Sequence, residues 1–188
     1  MDRNPRLARP VATCTTIACA AVLLTLPATV RSQQASNQAL VERGQYLVRI
    51  TGCHDCHSPK VEGMTPDLSR ALSGRPSTTP LPSPAKDEIH ASADLTAWQG
   101  PWGYTVASNL TPDPATGLDS RYTEATFITA MRTGRKPNGT QIQPPMPSEV
   151  YQNMTDEDLR AIFAYLRSIT PIRNAVMAGL PAPGTQKP

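Results

Sequence analysis

Cys53-His54-Asp55-Cys56-His57 follows directly on a segment of helical spacing, and its own spacing dictates its chemistry. Two thiols separated by two residues can reach the two vinyl groups of one porphyrin, and the histidine next to the second thiol then stands beneath the iron. A C-x-x-C-H run is therefore read as the covalent attachment site of a c-type haem. Two plainer readings compete with it. A redox dithiol expects a preceding strand and a βαβ setting, whereas a helix precedes this one. A structural zinc needs four ligands, and His90 is the only histidine outside the pentapeptide. His57 is expected to bind iron through Nε2 while its Nδ1–H is held by a backbone carbonyl, sought in Pro59 and the loop after it. His54 is expected to be an exposed spacer.

Working outward, Leu40, Gly44, Leu47 and Val48 fall on one face of a helix expected over Asn37–Ile50, with Ser36 as its N-cap. Residues 58–121 are rich in Pro, Gly, Ser and Thr, which keeps backbone in turns and extended loops. A second helix is expected from Thr123 to about Thr133, with Phe127, Ile128 and Met131 on one side and Gly134 as its stop. Thr155 opens a last helix with Asp158 three positions on, a capping-box pattern. Leu159, Ile162, Phe163, Leu166 and Ile169 mark its buried stripe, and Pro171 ends it. Helices so few and short bury little surface, so a large apolar cofactor would complete the core.

A low-spin electron carrier needs a second axial ligand, usually Met or His. Met64 lies only seven residues beyond His57, awkward for the opposite face. Met131 sits on an apolar helix side, Met154 precedes a helix cap, and Met177 follows the last helix in a loose tail. Met146 stands in Pro144-Pro145-Met146-Pro147, a stiff extended segment that presents a thioether with little entropy to lose on ordering. Met146 leads, and His90 and Met154 stay open behind it.

The chain begins with Arg3, Arg6 and Arg9, then an apolar run from Val11 to Leu26, then small residues near Val30-Arg31-Ser32. That order is the layout of a secretory signal peptide, expected over residues 1–32. An uncleaved anchor is the second reading, although the run falls short of the roughly 20 apolar residues a span needs. Of 18 basic and 15 acidic residues, this segment holds Arg3, Arg6, Arg9, Arg31 and Asp2, so the remainder carries fourteen of each. A neutral remainder argues for no nucleic acid and no polybasic membrane patch. Cys14 and Cys19 leave with the segment, and an oxidising compartment would pair Cys53 with Cys56 unless another group claims both sulfurs. Residues 33–175 are expected to form one domain and 176–188 a flexible tail.

The helix pattern and the Met146 segment resemble class I cytochromes c. That resemblance implies a mainly α fold, a few short helices around one covalent haem with a long Pro-rich loop insertion. It also implies a crossing of the first and last helices at Gly44, with Tyr165 and Leu166 facing it. Gly100-Pro101-Trp102-Gly103, Asn109 to Asp113 with Thr116-Gly117-Leu118, Arg132-Thr133-Gly134, and Pro144 to Tyr151 running into Met154 to Leu159 resemble the cytochrome subunits of bacterial membrane-bound, alcohol-type dehydrogenases. The likeness extends over about Gly44 to Ile172. It implies that Met146 is the iron-binding methionine, and it offers Trp102, Tyr104 and Asn109 either as cover for the haem edge or propionates or as packing and turn residues. Those subunits commonly carry two or three haem motifs, whereas this chain carries one.

Three functions are open at this point. The leading one is a periplasmic electron-transfer protein cycling Fe(III)/Fe(II) at one His/Met-ligated haem c, bound by Cys53, Cys56, His57 and Met146, with no catalysis of its own. Its partner would be a dehydrogenase, a quinol oxidoreductase or a terminal oxidase. The second is a single-haem electron-accepting subunit of a periplasmic dehydrogenase, with peripheral membrane association through the complex. The third is a haem enzyme or gas sensor whose sixth position is open.

Overall fold

The computed structural model describes residues 28–84 and 88–176. Among the described residues, five helices and one small sheet follow in the order α1 Ala28–Ile50, α2 Cys53–His57, β1 His90–Ala91, β2 Ala97–Gly100, β3 Gly103–Val106, α3 Glu124–Thr133, α4 Ser148–Tyr151 and α5 Asp156–Ser168, with single 3₁₀ turns at Leu68–Arg70 and Leu118–Ser120.

The first and last long helices, α1 and α5, cross at Gly44. A Cβ built there would lie 1.9 Å from the Ala161 carbonyl oxygen and 2.7 Å from the Tyr165 Cβ, so only a hydrogen lets the two backbones come this close. The expected partner Tyr165 is in place. Ala161 is the other, and Leu166 instead lies in the core beside the crossing. That core gathers Leu47 and Val48 of α1, Phe127 of α3, Ala161, Ile162, Phe163 and Leu166 of α5, with Leu72 and Leu118 from the loops. Phe127 and Phe163 rings stand 5.4 Å apart, and Tyr122 meets Phe127 edge-on at 6.1 Å. Arg43 closes the rim of the crossing on Asp158 at 3.0 Å.

The start and stop read from sequence hold for α3 and the start for α5, whereas α5 ends at Ser168 and Ile169, expected in its stripe, is already extended. The Thr123 hydroxyl accepts from Thr126 N–H, Thr126 returns a bond to Thr123 N–H, and Gly134 leaves the helix in the left-handed region at φ 66°. At α5 the Thr155 hydroxyl accepts from Asp158 N–H at 3.0 Å, while the Asp158 carboxylate faces Arg43. The start of α1 differs. It begins at Ala28, and Ser36 lies inside it with its hydroxyl on the Gln33 carbonyl at 2.8 Å. Good helix formers such as Gln33, Gln34, Ala35 and Gln38 extend the helix upstream of its apolar face. The helix also runs without a break through the boundary expected at Ser32, while most of the expected signal segment (residues 1–27) and nearly all of the expected tail (177–188) lie outside the described residues.

Within the Pro-rich middle, the three strands form an antiparallel meander, with Trp98 opposite Thr105 and Gln99 opposite Tyr104. Strand β2 is buried at every position, so it has none of the alternation by which a half-exposed strand shows itself in sequence. After α5 the chain returns across this region. Asn109, fully buried, donates to the Ile172 carbonyl at 2.7 Å and accepts from Thr111, and Asn174 donates to the carbonyls of Ser73 and Arg75.

Candidate functional site

Cys53, Cys56 and His57 all sit on α2, a single turn that follows the left-handed Gly52. Its last carbonyls would be left unpaired. Lys60 folds back to satisfy them, its ammonium donating to the carbonyls of Asp55 at 2.8 Å, Ser58 at 2.7 Å and His54 at 3.4 Å. Both cysteines are free and half-buried. Burial pushes both thiols above their ordinary value, with the Thr51 hydroxyl working against it at Cys53 and the Asp55 carboxylate adding to it at Cys56. Among the described residues, no group of three or more His, Cys, Asp or Glu side chains is placed to hold a metal ion.

The His57 Nδ1 donates to the Ser108 carbonyl at 2.8 Å, which leaves Nε2 with a free lone pair. The partner therefore lies 51 positions away and not in the loop after Pro59. The Pro59 carbonyl is already taken by the Asp67 N–H at 2.8 Å. Ser108 is held in reach by a clasp of backbone bonds: Arg75 N–H to the Ala107 carbonyl, Leu110 N–H to the Leu72 carbonyl, and Gly74 N–H to the His57 carbonyl. Gly74 is the hinge of that clasp. It has φ 79°, and a Cβ there would lie 2.6–2.7 Å from backbone atoms of Ala107, Ser108 and Asn109. Burial lowers the His57 pKa and the Ser108 carbonyl raises it less, so the net shift favours the neutral, ligating form.

His54 is half-buried, not an exposed spacer. Its Nδ1 lies 2.9 Å from the Ser58 hydroxyl, which itself accepts the Leu72 N–H at 2.9 Å. The Ser58 hydrogen is thereby free to go to His54 Nδ1, and burial also favours the neutral ring.

Of the candidates for the opposite side, Met131 and Met154 pack against the hydrophobic core, Met64 is 53% exposed, and His90 has its Nε2 on Glu88 at 2.9 Å. Met177 lies outside the described residues. Met146 is half-buried on the segment entering α4 and takes no part in the core cluster. Its N–H donates to the Gln143 carbonyl, its carbonyl accepts the Ser148 N–H at 2.9 Å, and the Pro144–Pro145 bond is cis. Upstream, the Ile142 N–H donates to the Gly134 carbonyl at 2.7 Å; downstream, the Tyr151 hydroxyl donates to the Thr51 carbonyl at 3.0 Å. Trp102 folds back over Gly100 with its Nε1 on Thr105 at 2.9 Å, and Asn109 donates through its amide to the chain after α5.

Arg75 went unrecognised from sequence. It is 5% exposed, one Nη donates to the Thr79 carbonyl, and its Nε has no partner among the described residues. Among the described residues no carboxylate is in ion-pair reach of it. Nothing in a Ser-Gly-Arg-Pro string announces a buried guanidinium, because its burial depends on segments far away in sequence.

A model of the cytochrome c family matches residues 41–170. The chain is 32% identical over 157 residues to the gluconate 2-dehydrogenase cytochrome c subunit of Pantoea cypripedii, an alignment covering 83% of this chain and 29% of that one. It is 29% identical to the alcohol dehydrogenase (quinone) cytochrome c subunit of Gluconobacter oxydans, over 74% of this chain and 23% of the relative. It is 26% identical to the fructose dehydrogenase cytochrome subunit of Gluconobacter japonicus, over 89% of this chain and 29% of the relative. The chain thus spans less than a third of the length of each of these relatives.

Proposed function

This chain belongs to the cytochrome c family, and from that premise we propose that it is a one-haem electron carrier of the bacterial periplasm, with Cys53 and Cys56 as the attachment thiols and His57 and Met146 as the axial ligands. The observation that carries this reading is the pairing of two free thiols on one turn with a histidine whose Nδ1 is committed to a carbonyl and whose Nε2 is not. That donor set fits haem c. Cys53 and Cys56 would each add an S–H across a vinyl group, and His57 Nε2 would donate to the iron. The buried Arg75, with no carboxylate in ion-pair reach among the described residues, fits as well, since haem brings two propionates of its own. The bound group supplies a one-electron Fe(III)/Fe(II) couple. The protein's part is to hold it by two thioethers, to orient the imidazole through Ser108, and to offer the Met146 thioether from a stiff segment.

The expected partner is a periplasmic dehydrogenase. Similarity of this chain to cytochrome subunits of gluconate, alcohol and fructose dehydrogenases supports this, and equally supports the second reading of a stably bound one-haem subunit. A cleaved signal peptide over residues 1–32 would deliver the chain there. Among the described residues no helix is long and apolar enough to cross a membrane.

Expression with a haem-attachment system should yield one covalent haem per chain and a reversible one-electron couple, and N-terminal sequencing should find the start near residue 33. M146A should abolish the weak near-infrared sulfur-to-iron band and lower the potential; survival of both would remove Met146 from the site. Mild purification separates the two partner readings, since a shuttle emerges as a monomer and a stably bound cytochrome emerges with its dehydrogenase.

A further inference from the structure

We propose that Tyr151 is a positioning residue that ties the Met146 segment to the haem-attachment turn, holding the thioether on the iron; the inference rests on the assignment of Met146 as axial ligand. The Tyr151 hydroxyl donates to the Thr51 carbonyl at 3.0 Å, a contact spanning one hundred positions of sequence. Its two ends are significant for where they fall. Tyr151 is five residues past Met146, and Thr51 is two residues before Cys53. One hydrogen bond therefore links the two segments that would approach the cofactor from opposite sides.

Thr51 is itself firmly held. Its N–H and its hydroxyl both donate to the Leu47 carbonyl, at 2.9 and 2.8 Å, which secures it directly beyond the end of α1. The Thr51 hydroxyl also lies 3.4 Å from the Cys53 sulfur. The Thr51 carbonyl is one of the orphan acceptors at a helix end, and the Tyr151 phenol fills it. The Tyr151 side has few other constraints. Helix α4 is a single turn, and between the Gly134–Ile142 contact and Tyr151 the backbone bonds of residues 143–150 are short-range ones within the segment. Without the phenol, the Met146 segment would be tethered upstream by Ile142 and downstream by the Arg132 guanidinium on the Gln152 carbonyl and by Met154, which meets the core. The Tyr151 ring is 7% exposed, and burial pushes its hydroxyl up to about 12, so it remains a donor over the range in which a carrier works.

The test is Y151F, which keeps the buried ring and removes only the donor. Mature ferric Y151F and wild type are titrated upward in pH while the near-infrared sulfur-to-iron band is followed, and imidazole affinity is measured alongside. Y151F should lose the band at lower pH and bind imidazole roughly three- to tenfold more tightly, the fold-change of one net hydrogen bond. The same comparison in an M146A background should show no gain from Y151F, because no thioether remains to be displaced. An unchanged band midpoint overturns the proposal, and so does an equal imidazole gain in both backgrounds, which would mean a general loosening. A wild-type protein without the band, or an M146A protein that keeps it, would instead refute the Met146 assignment.

Discussion

At the residue scale, the site depends on polar groups that are bound to something other than the cofactor. His57 is directed by the Ser108 carbonyl, His54 by Ser58, and the carbonyls ending α2 by Lys60. Asp94 does similar work for the turn between β1 and β2. Its carboxylate accepts from the hydroxyls of Ser92 at 2.7 Å, Thr96 at 2.8 Å and Thr79 at 2.9 Å, and from the Thr96 N–H. Burial pushes its pKa up, but those donors together hold it below the ordinary carboxylate value. A carboxylate depressed in the folded state adds stability above its unfolded pKa of about 4, and that stability is lost as pH falls through the folded value. D94N should therefore be less stable than wild type at neutral pH. Urea unfolding at a series of pH values should show the gap closing below about pH 4, and a gap independent of pH would contradict the assignment.

At the element scale, the crossing of α1 and α5 holds the attachment turn against the core, because α2 leaves directly from the end of α1. Gly44 is costly in an isolated helix, where Ala is better by about 1 kcal/mol. Here the sign reverses, since the added methyl would meet the Ala161 carbonyl at 1.9 Å. G44A should destabilise the protein by about 1–3 kcal/mol, the usual penalty of overpacking, with circular dichroism reporting helix content nearly unchanged at low temperature. Stability gained on substitution would mean that the helices do not cross at this point in solution. The resemblance to class I cytochromes c implied this contact, and it gave the glycine on an apolar helical face its reason. The sheet was not legible in sequence, because β2 has no exposed alternate positions and three of its four residues, Ala97, Gln99 and Gly100, are not strand formers.

At the scale of the whole molecule, the chain after α5 acts as a strap across the loops that carry Ser108 and Arg75. Asn109 and Asn174 fasten it through the Ile172, Ser73 and Arg75 carbonyls. N109A would leave the buried Thr111 N–H without its acceptor and the Ile172 carbonyl with the Thr111 hydroxyl alone, at a cost of about 1–3 kcal/mol. Hydrogen exchange should then rise at residues 172–176 and, through the shared segment, at Ser108 to Leu110. Exchange confined to the strap would show that the two regions are not coupled.

The sequence alone determined the attachment pentapeptide, the helix starting at Thr123, the cap at Thr155 and the preference for Met146. These are local signals, written in spacings of two to eight residues that the geometry of one turn or one helix face imposes. Only the tertiary structure decided that Ser108 holds His57, that Arg75 is buried without a carboxylate in ion-pair reach among the described residues, that Tyr151 reaches Thr51, and that Asn109 fastens the returning chain. Apart from the burial of Arg75, each of these is a bond from or to a backbone carbonyl 51 to 100 positions away. Every residue carries such a carbonyl, so residue identity says nothing about which one will be met, and only the folded path of the chain makes the choice.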